Sequence, residues 1–87
     1  MLKIQRNANG DVVFTVTGRL GPDNVGELLT LLAAEQVGRA VVLDLRDLLL
    51  VDRDAVRFLR TCEGRGILLR NCPSYIRVWM AGELEQP

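Results

Sequence analysis

The sequence predicts an α/β domain: about four strands in a mixed, mostly parallel sheet that opens with a hairpin, and about three helices packed on it. Three observations predict it. Apolar runs with strand chemistry alternate with stretches of helical periodicity, an order that calls for crossover connections. The first two strands are joined by Asn7-Ala8-Asn9-Gly10, which is strong turn chemistry. Residues 40–45 are apolar almost throughout, as in a strand of a parallel sheet covered on both faces.

Taken in order, residues 2–5 alternate apolar and polar side chains, the mark of a half-buried strand. Residues 11–17 supply Val12, Val13, Phe14, Thr15 and Val16, β-branched and aromatic types that suit a second strand. Residues 18–22 contain two glycines and a proline and read as a loop. Pro22 suits a first helical turn, where its missing N–H costs nothing. The first helix is expected over about residues 22–36, with Val25, Leu28, Leu29 and Leu32 in an apolar stripe. Gly38 ends that pattern. After the strand at 40–45, residues 48–51 read as an apolar turn beneath a second helix at about 53–63. That helix has the stripe Ala55, Phe58, Leu59 and Cys62, with Gly64 as its C-cap. Residues 67–69 form the fourth strand. Pro73 opens a short third helix, with Tyr75, Ile76, Trp79 and Met80 turned inward. Residues 1–81 thus make a single domain, and 82–87 a frayed tail.

Composition narrows the function. Eighty-seven residues, 48% of them hydrophobic, can bury one modest core. Eleven basic residues balance eleven acidic ones, so no long-range field draws the chain to nucleic acid or an anionic membrane. Histidine, the commonest general base and metal ligand, is absent. Cys62 and Cys72 have no metal-ligand spacing, and no cofactor loop or nucleophile–base pair can be assembled. No enzyme activity, cofactor or metal is therefore expected. No apolar run follows the charges of Met1-Leu2-Lys3-Ile4-Gln5-Arg6, and no stretch is long enough to insert in a bilayer, so a cytoplasmic location is expected.

The richest stretch is Val51-Asp52-Arg53-Asp54-Ala55, where a strand gives way to a helix start. Asp52 suits the N-cap and Asp54 the first turn, each favourable beside the helix dipole. Arg53, Arg57 and Arg60 follow at i, i+4, i+7 and form one stripe. It reads either as a solvated face trimmed by Asp54–Arg57 and Arg60–Glu63 pairs, or as a surface for an acidic partner.

Three segments resemble the STAS domains, the sulfate-transporter and anti-sigma-factor-antagonist family. Thr17-Gly18-Arg19-Leu20 is similar to the family's Gly-x-Leu exit from its second strand. Val42-Leu43-Asp44-Leu45 with Val51-Asp52 is similar to its central strand and phospho-loop. Arg65-Gly66-Ile67-Leu68-Leu69 with Pro73 is similar to its later strand–helix step. The resemblance implies a bacterial signalling domain that regulates transcription by binding an anti-sigma factor, a kinase-like protein. In regulatory members the loop reads Asp-Ser-Ser-Gly, and its second Ser is phosphorylated. Here Asp54 holds the phosphoacceptor-equivalent position and cannot be modified as a Ser. The partner-binding residues so implied are Asp52, Arg53, Asp54, Arg57 and Arg60. Two other roles stay open: a subunit bound to a transporter ATPase, and a small-ligand sensor with a pocket near Asp23, Asp52 and Trp79. The family pattern continues with a further strand, so the fourth strand is expected to be an exposed edge, suited to a homodimer.

Overall fold

The computed structural model describes residues 2–8, 10–35 and 40–85. The chain order is β1 (Leu2–Asn7), β2 (Val12–Leu20), α1 (Pro22–Ala33), β3 (Val41–Asp44), β4 (Leu48–Val51), α2 (Arg53–Gly64), β5 (Leu68–Arg70) and α3 (Ser74–Glu85). The sheet order is β1-β2-β3-β5. β1 pairs antiparallel with β2, and β3 and β5 run parallel to it. This is the mixed sheet with an N-terminal hairpin and three helices that the sequence predicts.

Two expected loops are strand. β2 continues through Gly18 to Leu20, and residues 48–51 are β4 rather than an apolar turn. Each is strand because of the other, since Gly18 lies beside Leu48, Arg19 beside Leu50 and Leu20 beside Val51. β4 therefore prolongs the line of β3 along β2. The kink between them is built locally: Asp44 Oδ1 accepts from the Arg46 N–H, and the Leu48 N–H donates to the Leu45 carbonyl at 3.1 Å. Facing the kink, β2 shifts register between Gly18 and Arg19, and Gly18 has φ 101°, a conformation open to glycine.

Both crossovers, β2 to β3 and β4 to β5, step the same way across the sheet. Right-handed crossovers then lay their helices on one face. α2 packs between α1 and α3, and the core lies under them. Phe14, Val16, Leu43 and Leu69 supply its floor; Leu28, Val56, Leu59, Ile76 and Met80 supply its roof.

The helices depart from expectation in their buried faces. In α1 only Leu28 is fully buried, and Leu29 is exposed. α1 stops at Ala33, short of the expected end; Gln36 and Gly38 lie outside the described residues. In α2 the buried set is Ala55, Val56, Leu59 and Cys62, with Phe58 half-buried. α2 ends in a Schellman motif. The Ile67 N–H donates to the Cys62 carbonyl at 3.0 Å, and the Gly66 N–H to the Glu63 carbonyl at 3.1 Å. The left-handed residue is Gly66, at φ 91°, not Gly64, which closes the helix proper. In α3, Ile76 and Met80 are buried and Trp79 is half-buried, but Tyr75 faces solvent. Its hydroxyl donates to the Leu49 carbonyl at 2.9 Å. α3 also runs through Gly82 to Glu85, in the stretch expected to fray.

Candidate functional site

The parallel pairing of β2 with β4 brings two helix starts together. Leu20 and Val51 are register partners, so the next residues, Gly21 and Asp52, are the adjacent N-caps of α1 and α2. Both are extended, as N-caps require. The Gly21 carbonyl accepts from Asn24 and Val25, and the Gly21 N–H donates to Asn24 Oδ1 at 3.3 Å. Asp52 is half-buried, and its Oδ1 accepts from the Ala55 N–H at 2.8 Å. The capping role expected of Asp52 is therefore occupied by α2 itself. A Cβ on Gly21 would meet Asp52 Oδ2 at 3.7 Å, an ordinary contact.

Beyond the cap, Arg53 and Asp54 occupy the first exposed positions of α2, and Arg57 is exposed one turn later. Asp54 sits where the free backbone N–H groups favour an anion. Arg60 is set apart from the other two arginines. It is half-buried and lines a cleft of about 460 Å³ between α2 and α3 with Glu63, Arg77 and Met80. Glu63 accepts from Arg77 Nη1 at 2.7 Å, across the helix pair rather than from Arg60 on its own helix.

The structure adds an apolar component that the sequence reading missed. Leu49 is 70% exposed and Leu50 61%, immediately before the cap. Tyr75, 48% exposed, stands next to them through its bond to Leu49. Alternation along Leu48-Leu49-Leu50 would expose only Leu49. Leu50 is exposed as well because the register shift makes Leu49 an extra residue of β4, so that Leu50 pairs with exposed Arg19 while Val51 pairs with buried Leu20.

A second cleft, of about 360 Å³, lies between α1 and α2 and is lined by Leu29, Leu32, Phe58, Cys62, Arg65 and Ile67 among others. Neither cleft has Asp23, Asp52 or Trp79 in its wall. Asp23 is exposed in the first turn of α1, and Trp79 packs against the core. Both cysteines are free thiols. Burial pushes the Cys62 thiol up to about 11, against a smaller opposing pull from Arg65. Cys72 is raised too, mainly by burial. Thiols so raised are poor nucleophiles near neutrality. Among the described residues no group of three or more metal-ligating side chains is placed to hold an ion, and no helix is long and apolar enough to cross a membrane.

No family model and no curated protein matches the chain. Among solved structures it is similar to an uncharacterized protein of the DUF3478 family, with a SpoIIAA-like fold, from Shewanella loihica PV-4. The TM-score is 0.52 and the identity 16%; the match covers 83% of this chain and 60% of that one. The β2–α1–β3 and β4–α2–β5 units, the hairpin before them and the helix after them accordingly make up a SpoIIAA-like fold, the architecture of STAS domains.

Proposed function

We propose that this chain is a non-catalytic protein-interaction domain, and that residues 49–60 are its docking surface. The observation that carries the proposal is the exposure of Leu49 and Leu50 directly beside the charged start of α2. Exposed charge on a helix is ordinary, but adjacent exposed leucines next to it give an apolar anchor with a polar rim, the make-up of a binding patch. The fold supports an interaction role, and the partner in this reading is an anti-sigma factor or a related regulatory protein. The mechanism is competition: residues 49–60 occupy the partner's surface, and the partner releases its sigma factor. Asp54 carries a fixed charge where regulatory relatives of the fold carry a switchable Ser, so docking proceeds without phosphorylation of this loop.

The test is affinity capture with wild-type, Leu50→Asp and Arg53→Glu/Arg57→Glu baits, after matching their melting temperatures. A partner held by wild type and lost by both variants is expected. Asp54→Ser and Asp54→Ala are included to ask whether the charge itself contributes. Retention by both Leu50→Asp and the double arginine variant would overturn the site. A transporter ATPase as the captured protein would replace the anti-sigma reading.

A further inference from the structure

The cleft of about 460 Å³ between α2 and α3 holds a cation that the fold does not neutralise. Arg60 is half-buried in its wall, and among the described residues no side chain pairs with it. Its ordinary partner would be Glu63, one turn on at i+3. Glu63 instead accepts from Arg77 of α3 at 2.7 Å. The cleft thus has two cations for one anion. Partial burial also strips water from the N–H donors of Arg60 without replacing it. The rest of the described wall is Met80, Ala81 and Gly64, which offer no charge. A Cβ on Gly64 would meet no atom within 4 Å, so space is open on that side. The carbonyls that end α2 would repel an anion, but the N–H groups of Arg65, Gly66 and Ile67 cap those of Thr61, Cys62 and Glu63.

We infer that this cleft binds a small organic monocarboxylate, its carboxylate on the Arg60 guanidinium and its apolar body against Met80 and Ala81. The planar fork of Arg60 donates to both oxygens of a carboxylate, a charge-assisted pair of bonds. Charge sets the valence of the ligand. One carboxylate neutralises the set of Arg60, Arg77 and Glu63, whereas a phosphate dianion brings surplus negative charge beside Glu63. The floor sets its other half. Met80 is buried, and its flexible thioether adapts to chains and rings alike. A bare anion would leave that floor wet, while an apolar body covers it. The volume is that of an ordinary small-molecule site. The site is separate from the proposed docking surface around Leu49 and Leu50, and does not rest on it.

An amide NMR titration of the isotope-labelled chain with hexanoate and with benzoate, a chain and a ring, tests this. Saturable shifts are expected at the amides of Arg60, Gly64, Arg77 and Ala81. Acetate, which lacks the body, and inorganic phosphate are each expected to bind at least about tenfold more weakly. Arg60→Ala is expected to weaken hexanoate at least about tenfold, and Arg60→Lys to recover only part of that, since an ammonium is a point charge without the fork. Glu63→Gln keeps an acceptor for Arg77 but removes the competing charge, so it is expected to tighten hexanoate a few-fold, which a merely structural Glu63 would not do. Melting of each ligand-free variant verifies that it folds. Leu50→Asp, which disables the proposed docking surface, is expected to leave the titration unchanged, so the two readings fail separately. Absence of saturable shifts with both acids, saturation at another site, acetate binding as tightly as hexanoate, or affinity indifferent to Arg60→Ala overturns the inference.

Discussion

At Asp52, one carboxylate oxygen closes the start of α2 by accepting from Ala55 at 2.8 Å. Asp52→Ala is expected to cost about 1 kcal/mol, the usual loss for an N-cap. For a domain of this size that lowers Tm by about 4–8 °C. Asp52→Asn, which keeps an acceptor, should lose little, and thermal denaturation of the pair checks the assignment. Cys62 gives a second residue-level outcome. Its thiol titrates near 9.0 when exposed in the unfolded chain and about 11 in the fold, where burial penalises the thiolate. The folded state thus holds the proton more tightly. This contribution to stability is complete below about pH 9 and is lost as pH rises toward about 11. The melting temperature of the wild type should fall more steeply across that window than that of Cys62→Val.

Among the elements, the end of α2 separates two glycines that look alike in sequence. Gly64 is helical, and Gly66 holds the left-handed position of the Schellman motif, with open space around both. Gly64→Ala is expected to stabilise by up to about 1 kcal/mol, because glycine is a poor helix interior residue. Gly66→Ala is expected to destabilise by about 1 kcal/mol, because its φ disfavours a side chain. Urea denaturation of both variants reads the opposite signs. The sequence places a glycine cap at the right end of the helix but not on the right residue, since the choice depends on which carbonyls Ile67 and Gly66 reach. The same distinction explains β4. Local periodicity identified β1, most of β2, β3 and all three helices, because each satisfies its backbone or its apolar face nearby. The end of β2 and β4 become strand only by pairing with one another across some thirty residues of chain, and no local pattern encodes that pairing.

For the molecule as a whole, the core is one layer thick and has little redundancy. Leu59 is fully buried at the centre of α2, the helix that touches both others. Leu59→Ala is expected to cost about 2–5 kcal/mol, a large share of the roughly 5–15 kcal/mol that stabilises a typical domain. Loss of cooperative melting near physiological temperature would be its signature. At this scale the candidate site was half legible. Val51-Asp52-Arg53-Asp54 located the strand-to-helix turn, and the cap formed as its residue types require. The separation of Arg60 from Arg53 and Arg57 depends on how α3 packs beside α2, and the exposure of Leu49 and Leu50 together depends on the register shift between β4 and β2. Those are properties of the assembled fold.

Because β5 ends at Arg70, no strand among the described residues lies on the outer side of β4, and the Tyr75 hydroxyl is what holds the Leu49 carbonyl there. One phenol thereby tethers β4, the strand of the proposed docking surface, to the last helix, and the two share load although 22 residues separate β4 from α3 in the chain. A partner that pulls on Leu49 and Leu50 pulls on α3 as well, and anything that tugs α3 from its seat slackens the surface on which that partner would sit.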